Sequence, residues 1–266
     1  MLRGASAEAR SVLTGKVGAQ RTLDENATLG DQLLAVAGVL RAEPALRRIT
    51  TDASVATEAK AGLAQQVFSG KIGDTTLGVV TEAVQQRWTS SRDLPDVLET
   101  LGIEAVVRSA GAQGRRISDE LFAIVQMVDH ADGLRGALSD PARSDEDKAG
   151  LLTGLLDGKV LPATLRLVTQ AVRSGGTVVR SLVDYQHVAA SVQDELIATV
   201  HTAKPLSDQE TSRLTQALGK TYGATVHLHV VEDPSLIGGL RVEIGDDVID
   251  GSVSTKLDTA RRRIAG

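Results

Sequence analysis

The chain carries one pattern twice, and that duplication constrains its fold more than any other feature. The segment LRRITTDASVATEAKAGL, Leu46 to Leu63, lies without a gap over LRGALSDPARSDEDKAGL, Leu134 to Leu151, at an offset of 88 residues. Leu46, Arg47, Asp52, Lys60, Ala61, Gly62 and Leu63 each meet an identical partner. The register holds through FSGKI over LDGKV (Phe68 to Ile72, Leu156 to Val160) and through TTLGVVTEAV over ATLRLVTQAV. Upstream, Leu29, Leu33, Val36, Ala37 and Leu40 lie over Ile117, Leu121, Ile124, Val125 and Val128. That i, i+4, i+7, i+8, i+11 spacing is one face of an α-helix. The period is longer than the roughly 20–50 residues of solenoid units, so each copy is expected to form a small helical bundle.

Punctuation inside the copies agrees. Glu43-Pro44 and Asp140-Pro141 break helices, because proline lacks a donor and clashes with the preceding turn. Ser144-Asp145-Glu146-Asp147 opens a helix with its acids at the positive end of the dipole. Gly70 and Gly158 stand where a helix closes in a left-handed residue. Leu77, Val80, Ala83 and Val84 mark the next helix, as do Leu165, Val168, Ala171 and Val172. The opening stretch, with Arg3, Arg10, Lys16 and Arg21 against Glu8, loosely resembles a transit peptide. The repeat favours a first helix over about residues 5–21, with Ala9, Val12, Leu13 and Val17 on one side. At the same offset that helix lies over a segment starting near Asp93, so a helix over 93–111 is expected to serve both copies.

Composition narrows the function classes. Apolar residues make up 42% of the chain and aromatics 2%, so a sizeable core must be built from Leu, Val, Ile and Ala, which favours packed helices. Few aromatics and a net charge of -5 argue against nucleic-acid binding, which uses stacking platforms and cationic surfaces. Cysteine is absent, so neither disulfides nor thiol chemistry is available. No run approaches the roughly 18 apolar residues of a membrane span.

After Glu195 the period changes. Leu196 to Ala203 alternates as a strand, and Ser207-x-x-Glu210 is a capping box opening a helix with Leu214, Ala217 and Leu218 inward. Gly223 closes it. Val226, Leu228 and Val230 form a second strand, Leu240, Val242 and Ile244 a third, and Val248-Ile249 a fourth. A final helix carries Val253, Leu257, Ala260 and Ile264. The expected fold is mainly α with a small α+β C-terminal domain: helical copies over 1–111 and 112–195, then strand-helix-strand-strand-strand-helix over 196–266.

Catalytic motifs fail one by one. Gly219-Lys220-Thr221 lacks the upstream glycine of a phosphate loop, where Leu214 stands, and it ends a helix instead of opening one. His227 and His229 share a strand face, but no third ligand has matching spacing, and they read as exposed strand residues. His130, with Asp129 and Asp132, reads as a helix end. Asp246, Asp247 and Asp250 lack the glycine and glutamate positions of a calcium loop. No catalytic, cofactor-binding or metal-binding residue is assigned.

One block exceeds generic folding rules. DPSLIGGLRVEIGDDVIDGSV, residues 233–253, resembles the C-terminal signature of delta subunits of F-type ATP synthase, the family of the mitochondrial oligomycin-sensitivity-conferring protein. Asp233, Pro234, Leu236, Ile237, Gly238, Gly239, Gly245, Asp246, Val248, Ile249, Asp250, Gly251 and Ser252 match it, and STKLDTARRRI is similar to the family's closing helix. Residues 112–266 resemble an ordinary-length member, and residues 1–111 are an extra helical copy. Longer delta subunits of actinobacteria share this plan and a similar MLRGAS opening. The resemblance implies a non-catalytic peripheral-stalk subunit of a hetero-oligomeric, proton-driven ATP synthase, without a membrane span of its own. Implied partners are the N-terminal helices of the alpha subunits and stalk subunit b, at the cytoplasmic side of a bacterial cell membrane. The signature is expected to build the fold and carry no catalysis. A helical scaffold unrelated to ATP synthesis would explain the duplication but leave this block unexplained.

Overall fold

The computed structural model describes residues 2–19, 21–245 and 247–253. The closing helix expected beyond Val253 lies outside them. The chain divides into two compact units, Met1–Ala189 and Ala190–Gly266.

The first unit is helical. Its elements are α1 (Ala5–Val17), α2 (Leu23–Ala42), α3 (Pro44–Thr51), α4 (Thr57–Phe68), α5 (Asp74–Gln85) and α6 (Asp93–Arg108). After a 3-10 turn at Gly111–Gln113 follow α7 (Gly114–His130), α8 (Asp132–Ser139), α9 (Asp145–Leu156), α10 (Pro162–Arg173) and α11 (Val178–Val192), whose last residues enter the second unit. Shifted by 88 residues, the bounds of α3, α4 and α5 become those of α8, α9 and α10. Pro44 marks the break between α2 and α3, and both Pro44 and Pro162 occupy the first turns of their helices, α3 and α10, where the missing N–H is harmless. Ser144 accepts from Asp147 N at the start of α9, and Gly70 and Gly158 take φ 73° and 70° just past α4 and α9.

Side-chain hydrogen bonds repeat with the helices. Gln32 Oε1 accepts from Gly73 N at 3.0 Å and from Thr76 Oγ1 at 2.6 Å. In the second copy Glu120 Oε2 accepts from Leu161 N at 2.9 Å and Thr164 Oγ1 at 2.5 Å. In each copy the second long helix therefore supplies the oxygen that satisfies the orphan donors opening the helix against it. The duplication is tertiary as well as textual.

The first core gathers Leu13, Leu29, Leu33, Leu40, Val80 and Leu98 among others. Ile117, Leu121, Val128, Leu152, Leu167 and Val168 are buried in the second copy. Helix α6 is shared by burying more than one face: Leu94, Val97, Leu98, Leu101 and Ala105 enter the first core, and Ile103, Val106 and Val107 are also buried. Its approach to α2 is nearly backbone on backbone. A Cβ placed on Gly30 would stand 2.9 Å from Gly102 O, and one on Gly102 would stand 2.9 Å from Leu34 Cδ2.

The second unit holds β1 (Glu195–Thr202), α12 (Asp208–Tyr222), β2 (Thr225–Glu232), β3 (Leu240–Ile244) and β4 (Asp247–Asp250). The sheet order is β2-β1-β3-β4. β1 pairs in parallel with β2 through the α12 crossover, and the other pairs are antiparallel. The Ser207 capping box opens α12 and left-handed Gly223 closes it. Ala198, Val200, Val226, Val242 and Ile244 form the core with Leu218 of α12.

Gly102→Val is expected to destabilise the helical unit by about 1–3 kcal/mol, since the added carbons must enter a filled helix crossing. Gly15→Ala, whose Cβ meets no heavy atom within 4 Å, is expected to stabilise it by about 0.5–1 kcal/mol. Urea melts of the two variants give the contrast.

Candidate functional site

A polar cluster sits where the two helical copies meet. Glu99 on α6 accepts from Arg41 Nη2 of α2 at 2.7 Å, from Gln170 Nε2 of α10 at 3.0 Å and from Tyr185 Oη of α11 at 2.7 Å. Arg41 also reaches Asp96 Oδ1 at 2.8 Å. The Glu99 side chain is 12% exposed, so its charge has left water and survives through these donors. Burial pushes the Glu99 carboxyl up, but hydrogen bonds from Arg41, Gln170 and Tyr185, with the Arg41 charge, hold it below its ordinary value. Burial and the Glu99 charge raise the Tyr185 phenol, which stays a donor. Glu104, one turn further along α6, differs: desolvation raises its carboxyl despite Arg10 and Arg108. The cluster is an ion pair between Arg41 and Glu99 with Gln170 and Tyr185 as further donors. Sequence reading missed it, because nothing in the spacing of positions 41, 99, 170 and 185 joins them.

Among the surface grooves beside the helices, two are related by the repeat. One, about 410 Å³, is lined by α1, α4 and α5, with Lys16, Gln65, Leu77, Gly78, Thr81 and Glu82 on its walls. Lys16 pairs with Glu82 across it. The other, about 590 Å³, lies among α2, α9 and α10. Both are walled by helices.

In the second unit the signature residues occupy one connected run. Asp233 Oδ1 accepts from Ser235 N at 2.9 Å and Ser235 Oγ at 2.6 Å, and Leu236 N closes the turn over Pro234 onto Asp233 O. Gly239 takes φ 80°, and a Cβ there would lie 2.5 Å from Gly251 O. Gly251 N donates to Leu240 O and Val253 N to Gly238 O, each at 2.9 Å, so residues 238–240 lie flush against 251–253. Asp250 Oδ1 accepts from Ser252 N at 2.9 Å, and Ser252 is buried. Gly245 sits in the turn before β4, and Asp246 lies outside the described residues. Ile237, Val248 and Ile249 point outward, at 81%, 55% and 43% exposure.

The other residues singled out in the sequence sit as follows. Gly219-Lys220-Thr221 ends α12, where the dipole repels an anion. His130 Nδ1 lies 2.7 Å from Gln126 O at the end of α7. His227 and His229, expected to be exposed, are half-buried and buried. They stand on the sheet face opposite α12, beside Ile197 and Thr199 on β1, with ring centroids 4.9 Å apart edge to face.

The family profile described as ATP synthase delta (OSCP) subunit matches residues 104–264. An ATP synthase subunit delta from a Nocardioides species is 50% identical over 268 aligned positions, covering 100% of this chain and 98% of its own. The Kineococcus radiotolerans subunit is 40% identical, covering 89% and 87%. The Streptomyces coelicolor subunit is 37% identical, covering 99% and 98%. The Nocardioides and Streptomyces matches run nearly the whole length of this chain, first helical copy included.

Glu99's contribution to stability is complete above the carboxyl value of the unfolded chain. It disappears as pH falls through the lower folded value, so Glu99→Gln should flatten the loss of thermal stability on the acid side of the ordinary glutamate range. Gly239→Val should unfold the second unit, read as loss of its strand circular dichroism while the helical signal of the first unit persists.

Proposed function

Because this chain belongs to the ATP synthase delta (OSCP) subunit family, we propose that it is the stator piece joining the catalytic head to the peripheral stalk. It is a non-catalytic subunit. A rotary synthase makes ATP only while its head is held still against the turning shaft, so the joint must transmit torque without yielding. The observation that carries this reading is the pairing of grooved helical copies with the family's C-terminal signature.

In this reading residues 1–111 and 112–195 are two helical copies and residues 196–266 the C-terminal domain. The helical part receives N-terminal helices of the alpha subunits. The C-terminal domain receives stalk subunit b, with Ile237, Val248 and Ile249 as the apolar contact. The signature residues Asp233, Gly238, Gly239, Asp250, Gly251 and Ser252 support that surface by fixing the turn beneath it. The combined contact should exceed the ~1,600 Å² of a standard interface. No described helix is long and apolar enough to cross a membrane, and the protein acts peripherally, on the cytoplasmic side of a bacterial cell membrane.

Affinity-tagged chain should bring both alpha and b from detergent-solubilised membranes. Ile249→Glu should keep alpha and lose most of b. Recovery of neither subunit by the unmodified chain would end the stator reading.

A further inference from the structure

The Gln32 and Glu120 caps repeat with the helices, but the Glu99 cluster has no counterpart. At 88 residues beyond Arg41 and Glu99 stand Asp129 and His187, both exposed. The donors from the second copy depart from the repeat as well. Tyr185, buried at 4% exposure, stands where the first copy has Val97 of its core, and Gln170 where it has Glu82. Bonds that maintained each bundle would be present in both copies. These are made of residues particular to their own copy, so their work lies between the copies.

The carboxylate is divided accordingly. Glu99 Oε2 accepts from Arg41 of α2, in the first copy, at 2.7 Å. Glu99 Oε1 accepts from Gln170 of α10 and Tyr185 of α11, in the second copy, at 3.0 and 2.7 Å. One oxygen holds each copy. The other contacts between the copies constrain rotation weakly. Helix α6 also packs against α7 and α10, but apolar contact is non-directional and permits small turns about the helix axis. Between α2 and α10 lies the open cleft of about 590 Å³, with Leu34, Ala35 and Gly38 on one wall and Pro162 and Leu165 on another. Asp31 Oδ2 and Arg166 Nε face each other across it at 3.5 Å, with both side chains half exposed, and an exposed ion pair contributes little. The cleft leaves room for the second copy to rock toward α2 or away from it.

We infer that Glu99 is the positioning residue of the helical unit: its Oε1 pins the second copy at one angle to the first, and without that pin the copies swing about α6, opening and closing the cleft between α2 and α10. Both copies stay folded in the swing, because the first core and the crossing of Gly30 with Gly102 are untouched. The motion is a hinge between two bodies on a shared element. Its consequence rests on the stator reading above: a swinging copy yields to the torque on the head, so synthesis falls although every partner remains bound.

The chain has no cysteine, so spin labels go only where they are placed. Gly62 of α4 and Gly150 of α9 are exposed, repeat-related positions at which a Cβ meets no heavy atom within 4 Å. The full chain labelled at Gly62→Cys and Gly150→Cys should give one narrow distance distribution by pulsed electron resonance. Adding Gln170→Leu and Tyr185→Phe removes the second copy's donors while Arg41 still neutralises Glu99. Circular dichroism should be unchanged and the distribution should broaden about twofold or more. Arg166→Ala, which cuts only the exposed pair across the cleft, should leave it narrow. An unchanged width in the folded donor variant, or equal broadening by Arg166→Ala, would overturn the inference. If the donor variant does not fold, Tyr185→Phe alone decides by the same width. Membranes carrying the donor variant should still yield alpha and b, and should make ATP at about half the normal rate or less under an imposed proton gradient. Unimpaired synthesis with a swinging joint would overturn the positioning role. Failure of the unmodified chain to recover alpha or b removes the stator reading and leaves the distance test standing.

Discussion

The helical unit depends on how closely α2 can approach α6. Without side chains at Gly30 and Gly102, the two backbones meet at a distance no larger residue allows. Helix association at that distance maximises dispersion contact between the flanking side chains. It also leaves α6 free to present other faces elsewhere. Leu94, Leu98 and Leu101 fill the first core while Glu99 turns to α10 and α11. Were α2 held further off, neither the core nor the Arg41–Glu99 pair would close.

Glu99 gives the joint between copies a direction that apolar packing alone lacks. Apolar contact tolerates sliding, because dispersion and burial are nearly indifferent to small rotations. A carboxylate that has left water is stable only with its donors in place, and here they come from α2, α10 and α11 at once. Breaking any one leaves a desolvated charge or donor, which is more costly than the net worth of the bond formed. For a subunit that resists torque in the proposed stator role, such an all-or-none contact is mechanically apt.

In the second unit the signature divides its labour by exposure. Gly239 and Gly251 disappear into backbone contact, Asp233 and Asp250 satisfy turn donors, and Ile237, Val248 and Ile249 remain outside. The signature is therefore a scaffold that exhibits an apolar edge. A strand of exposed β-branched residues at a sheet edge invites pairing, and a partner helix or strand covering it removes that liability.

Local order was written into the chain. Periodicity, prolines and the Ser144 and Ser207 caps are near-neighbour effects, set by residues within a turn of one another. They marked the helices, the 88-residue repeat and the strands after residue 195. Family resemblance in residues 233–253 gave the role. The Gln32 and Glu120 caps and the Glu99 cluster join positions 41 to 86 residues apart. No spacing rule connects such positions, because which faces meet depends on the crossing of α2 with α6, and that crossing exists only in three dimensions. Sequence alone determined that there are two copies; tertiary packing decided how they are joined, since Glu99 of α6 takes its donors from α2, α10 and α11 at once.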